Sequence, residues 1–80
     1  MSLAQDILRL MSDGKERSSL DITTGLFPEL KGSDFRNKRL AITTILSKMK
    51  RRGDMVQTRR EWMYVSNTKV SVGFWRRNSE

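Results

Sequence analysis

Gly53 divides the chain into two stretches whose apolar residues repeat at different intervals, and this change of period limits the available folds more than any other feature. Before Gly53, apolar residues recur three and four positions apart, the spacing that lines one face of a helix. After it, β-branched and aromatic residues gather in short runs that suit a pleated strand. Helices first and strands last predict an α+β domain, in which the helical stripes and one sheet face share a single core.

The helical part carries its own boundaries. Ser2 with Gln5 three residues on is a capping-box pair, and Leu3, Ile7, Leu10 and Met11, with Ala4 and Leu8 beside them, form the stripe it opens. Gly14 offers a left-handed stop. Ser18 with Asp21 repeats the cap, and Leu20, Ile22 and Leu26 then predict a second helix of about two turns. Pro28 biases Phe27 away from helical dihedrals, so residues 27–34 (FPELKGSD) are expected to be a loop. Ser33 or Asp34 is the expected cap of a third helix with Phe35, Ile42, Ile45, Leu46 and Met49 on one side. Lys48, Lys50, Arg51 and Arg52 crowd its last turn, where cations complement the helix dipole, and Gly53 ends it.

Beyond Gly53, Met55, Val56 and Thr58 and then Trp62, Met63, Tyr64 and Val65 are strand formers around a polar run, Thr58 to Glu61. That run is the expected hairpin turn, with Arg59 and Arg60 at its tip. The domain is expected to span residues 1–66. Residues 67–80, in which Val70, Val72 and Phe74 alternate before Trp75, are expected to add a third strand or an arm. Trp62, Tyr64 and Trp75 are expected in the core rather than at a base-stacking surface, since aromatics in so small a domain mostly serve packing.

With 80 residues there is room for one small core, and with neither Cys nor His no disulfide or Cys/His zinc site can reinforce it. The same absences remove thiol nucleophiles and the Ser/His/Asp triad. The nine carboxylates include no pair whose spacing marks a catalytic acid and base. No enzymatic activity, cofactor or metal is therefore expected. The amino-terminal segment lacks a basic leader and carries Asp6 within its apolar pattern, and no apolar run reaches membrane-spanning length, so a cytoplasmic location is expected. Charge is unevenly spread: residues 1–35 hold four basic and six acidic side chains, residues 36–80 twelve and three. A one-sided basic surface is the footprint of a phosphate-backbone binder, although acidic proteins and anionic membranes present the same charge.

The segment Ile42 to Val56, ITTILSKMKRRGDMV, resembles the recognition helix, basic last turn, glycine stop and first wing strand of the winged helix-turn-helix family of DNA-binding domains. Ser18, Asp21, Ile22 and Leu26 resemble its capped second helix, and the order of elements is similar from Leu3 to Val65. Two features depart from the family pattern: the connection Phe27 to Ser33 is long, and Asp54 stands where an apolar residue is usual. The resemblance implies a three-helix winged helix-turn-helix with a carboxy-terminal β-hairpin wing. It implies a third helix in the major groove of double-stranded DNA, presenting Lys38, Arg39, Thr43, Thr44 and Ser47, with Arg39 suited to a bidentate guanine contact. Lys48, Lys50 and Arg51 would meet phosphates, as would amides near Ser18 and Ser19, while Arg59 and Arg60 on the wing would reach the backbone or minor groove. The function implied is that of a small transcription regulator of bacterial or phage type, with a homodimer left open. Two alternatives stand beside it: a winged-helix adaptor that binds protein and not DNA, and an RNA binder relying on phosphate and sugar contacts.

Overall fold

The computed structural model describes residues 2–65 and 67–78. Its elements are α1 (Leu3–Leu10), β1 (Arg17–Ser18), α2 (Ser19–Leu26), α3 (Gly32–Arg52), β2 (Met55–Val65) and β3 (Thr68–Arg77).

The first two helices begin on reciprocal caps. Gln5 N donates to Ser2 Oγ at 3.2 Å while Ser2 N donates to Gln5 Oε1 at 3.4 Å. Asp21 N donates to Ser18 Oγ at 3.0 Å and Ser18 N to Asp21 Oδ2 at 3.3 Å. Each cap satisfies amides that have no partner within the helix. Neither Ser33 nor Asp34 caps α3, contrary to expectation. Lys31 occupies the cap position with no side-chain hydrogen bond, and Gly32, at φ +61°, turns the chain into the helix. Asp34 then lies inside the first turn, where its charge favours the positive end of the dipole. At the other end Gly53 adopts φ 87°, and Asp54 N reaches back to Met49 O at 2.9 Å, closing the last turn.

The strands form an antiparallel sheet of order β1-β3-β2. This corrects one expectation. Thr58 to Glu61 is no turn: β2 runs unbroken through it, paired with β3 from Met55↔Arg77 to Val65↔Thr68. The chain instead reverses between Val65 and Thr68, where Asn67 takes a left-handed φ of 66°. Asn tolerates that conformation, whereas 58–61 contains neither Gly nor Asn to turn on. The polarity of the run marks an exposed strand surface, not a reversal. Ser66, the expected domain boundary, lies outside the described residues, and the segment after it supplies the central strand, since β3 alone pairs with both β1 and β2. The register slips once, between Gln57 and Arg59, leaving a β-bulge at Thr58. Thr58 Oγ1 is held there by the carboxylate of Glu16 and by Phe74 O.

One core joins the layers: Ile7 and Met11, Ile22 from α2, Ile42, Leu46 and Met49 from α3, and Met55 and Trp75 from the sheet. Each large apolar side chain buried there contributes roughly 1.5–3 kcal/mol relative to exposure. Trp75 is buried as expected, but Trp62 and Tyr64 are 68% and 77% exposed, which overturns their assignment to the core. No helix among the described residues is long and apolar enough to cross a membrane.

Candidate functional site

The first half of α3 and the distal half of the β2–β3 hairpin bound a cleft of about 910 Å³. Ser33, Arg36, Arg39 and Leu40 line it from the helix, and Val65, Thr68 and Val70 from the hairpin. The arrangement follows from the Gly53 stop: β2 leaves the carboxy-terminal end of α3 and brings the far end of the hairpin back beside the amino-terminal half of the helix. Between Asp34 and Asp54 the sequence has no carboxylate, so the whole exposed side of α3 beyond its first turn is neutral or cationic.

The residues expected to form a site on α3 have several different surroundings. Arg39 lies in the cleft. Thr43 and Ser47 are half-buried and Thr44 is exposed, and both threonine hydroxyls donate to their own helix: Thr43 Oγ1 to Arg39 O at 2.9 Å, Thr44 Oγ1 to Leu40 O at 3.0 Å. Their oxygens remain able to accept, but their protons are committed. Lys50 is exposed and its Nζ donates to Gln57 Oε1 at 3.4 Å across to β2. Lys48 and Arg51 are exposed, beside Ala4 and Ile45, around a separate shallow depression. Lys38 stands apart, its ammonium 4.9 Å from the centroid of the Phe27 ring, on the side of the helix facing the end of α2. Ser18 and Ser19 are buried, the first within its cap.

The two hairpin arginines have different surroundings. Arg59 Nε is 3.1 Å from Glu16 Oε1, its guanidinium also meets Glu61, and its Cζ lies 3.9 Å from the centroid of the Phe74 ring. Its charge is spent on tying β2 to the segment before β1. Arg60 is exposed, and its guanidinium donates to Ser71 Oγ at 3.5 Å. Because β2 is continuous, neither arginine is at the tip.

Ion pairing elsewhere gathers acidic residues away from the cleft. Asp13 forms a two-bond pair with Arg17, both bonds 2.8 Å, and accepts from Lys15 N at 3.0 Å. The Arg17 hydrogen bond chiefly holds the Asp13 carboxyl well below the usual carboxylate range and raises Arg17 in turn. Glu16 is lowered from its ordinary value of 4.5, first by the Thr58 hydroxyl and then by Arg59.

Arg36 and Leu40 were not among the expected site residues, yet they line the cleft. Helical spacing was the available signal, since 36, 40, 44, 47 and 51 step along one side of α3. Trp62, Tyr64 and Lys69 were likewise missed as surface groups. Alternation over 60, 62 and 64 places them on one sheet face once β2 is known to be unbroken. Comparison with protein-family models, with curated proteins and with solved structures returns no match.

Proposed function

We propose that this chain is a non-catalytic DNA-binding domain of the winged helix-turn-helix kind, which seats α3 in the major groove of a duplex with the β2–β3 hairpin lying beside it as the wing. Three helices followed by a hairpin, packed into one α+β layer pair, are compatible with that arrangement. The observation that carries the reading is the acid-free exposed side of α3 next to the cleft it shares with the hairpin. A polyanion meets cations there and no carboxylate, and a groove about 12 Å wide admits a helix.

The roles proposed for single residues follow their surroundings. Arg36 and Arg39, on the cleft side of the helix, are the base-reading candidates, because guanidinium groups match the two acceptors of guanine. Thr44, exposed and with its proton committed, offers an acceptor and a methyl group to a base edge. Lys48, Lys50 and Arg51 suit phosphates, which orient the protein without reading sequence. Arg59 serves the fold, and Lys38, drawn toward Phe27, is peripheral. Regulation of transcription is the use that such a domain serves most directly.

An amide-resolved NMR titration with a mixed-sequence duplex of about 16 base pairs tests this reading. Shifts concentrated in residues 33–51 and in the hairpin, with α1 unmoved, support it. Shifts confined to α1 and α2, or none at low salt, contradict it and favour a protein-binding adaptor instead.

A further inference from the structure

The distal hairpin has two faces, and only one belongs to the cleft. Val65, Thr68 and Val70 line the cleft. Their cross-strand pairs, Val65↔Thr68 and Met63↔Val70, alternate with Tyr64↔Lys69, Trp62↔Ser71 and Arg60↔Gly73, which therefore project from the opposite face. That opposite face holds the two most exposed aromatic side chains among the described residues, Trp62 and Tyr64. Lys69 Nζ lies 5.3 Å from the centroid of the Trp62 ring and Arg60 flanks it, while no carboxylate occupies any of these paired positions.

We propose that this face is a stacking platform for unpaired DNA bases. Large apolar rings left in water are costly in a domain with so small a core, and single exposed aromatics need no explanation, but two on one strand face bracketed by cations form a continuous surface. Trp62 and Tyr64 are two residues apart on β2, about 6.8 Å along the strand. Two stacking distances of about 3.4 Å fill that interval, so one base fits between the rings or successive bases lie on each. Arg60 and Lys69 are placed for the phosphates of the same strand. A folded protein partner would need acidic groups around an apolar centre, whereas a single strand supplies both π-faces and negative charge at every nucleotide.

The location of this strand rests on the reading of α3 as the duplex site. With duplex in the cleft, the hairpin stands between it and the aromatic face, so the unpaired strand is one that leaves the duplex and passes over the far side of the hairpin. The preferred ligand is then a duplex with a single-stranded extension, and not a blunt duplex.

Fluorescence separates the two claims, because Trp62 is exposed and Trp75 is 2% exposed. Titrations would compare a blunt 16-base-pair duplex, the same duplex with a six-thymidine extension on either the 5′ or the 3′ end, and a free thymidine oligonucleotide. One extended duplex is expected to bind on the order of tenfold more tightly than the blunt one and to quench tryptophan emission. Trp62→Ala with Tyr64→Ala should bring its affinity back to that of the blunt duplex, while Trp62→Phe should retain most of the gain. Equal affinity for blunt and extended duplexes, without quenching, would overturn the platform and leave the duplex reading standing. Quenching by the free oligonucleotide with no binding of blunt duplex would support the platform and overturn the duplex reading. Unchanged thermal unfolding of the double variant secures the comparison.

Discussion

The guanidinium of Arg59 lies 3.9 Å from the centroid of the Phe74 ring, on the neighbouring strand. Glu16 holds the same group from the segment before β1, and Thr58, at the bulge, holds the other oxygen of that carboxylate. The bulge and the arginine thus form one clamp between β2 and the segment before β1. Arg60, one residue on and on the opposite strand face, takes no part in it.

Neighbouring arginines with such different surroundings should respond differently to truncation. Arg59→Ala is expected to cost about 1–2 kcal/mol of stability, combining a cation–π contact and partly exposed ion pairs. Arg60→Ala should change stability by less than about 0.5 kcal/mol, the range for surface substitutions, while weakening binding of a duplex with a single-stranded extension. Urea unfolding and anisotropy on both variants check the division; a stability loss in Arg60→Ala equal to that in Arg59→Ala would refute it.

Acid should loosen the same region. Asp13 and Glu16 have carboxyls that titrate lower in the folded chain than their ordinary values of 3.8 and 4.5. Groups depressed on folding stabilise above their unfolded pKa, and that contribution disappears as pH falls through the folded value. Stability should therefore be flat from pH 7 to about 5 and decline below about 4.5. Both carboxylates are near the surface, so the decline is shallow and weakens with added salt. Asp13→Asn should flatten it; a Tm that rises on acidification to pH 3 would contradict the sign.

Gly53 offers a test of backbone conformation free of packing. Its φ is 87° and a Cβ there would meet nothing within 4 Å. Gly53→Ala is expected to cost about 1–2 kcal/mol, the penalty of a left-handed conformation for an L-residue. Gly53→Asn should cost less, because Asn visits that region more readily. Equal losses in equilibrium unfolding would show that the glycine serves some purpose other than its φ.

Local signals were legible wherever a short-range physical rule decides the outcome. The Ser2 and Ser18 capping boxes, the Gly53 stop and the Ile42, Leu46 and Met49 stripe all follow from residues within one or two turns of each other. The hairpin was misread because the feature that decides it is distant. Arg59, Arg60 and Glu61 look like a turn until Phe74 and Glu16, remote in sequence, are seen to receive Arg59 and until Asn67 supplies the left-handed residue. The composition argument that places Trp62 and Tyr64 in the core speaks of aromatics in general and not of a strand face that projects from the domain. On α3, the helical period places Arg36 and Arg39 near one another, but only the full length of the hairpin makes that side of the helix a cleft.

Core residues provide a control for all binding comparisons. Leu46, fully buried, should lose about 2–5 kcal/mol on truncation to Ala, a severe change for a domain of this size. A near-neutral result in urea unfolding would mean that α3 does not pack as described.

Anisotropy of a labelled 25-base-pair duplex, titrated at salt concentrations from 50 to 200 mM, tests the central claim most directly. If Lys48, Lys50 and Arg51 together neutralise about three phosphates, log K should fall linearly with log salt at a slope of about −2.7. Absence of binding at 50 mM salt, or binding indifferent to salt, would contradict the proposal that the acid-free side of α3 engages DNA.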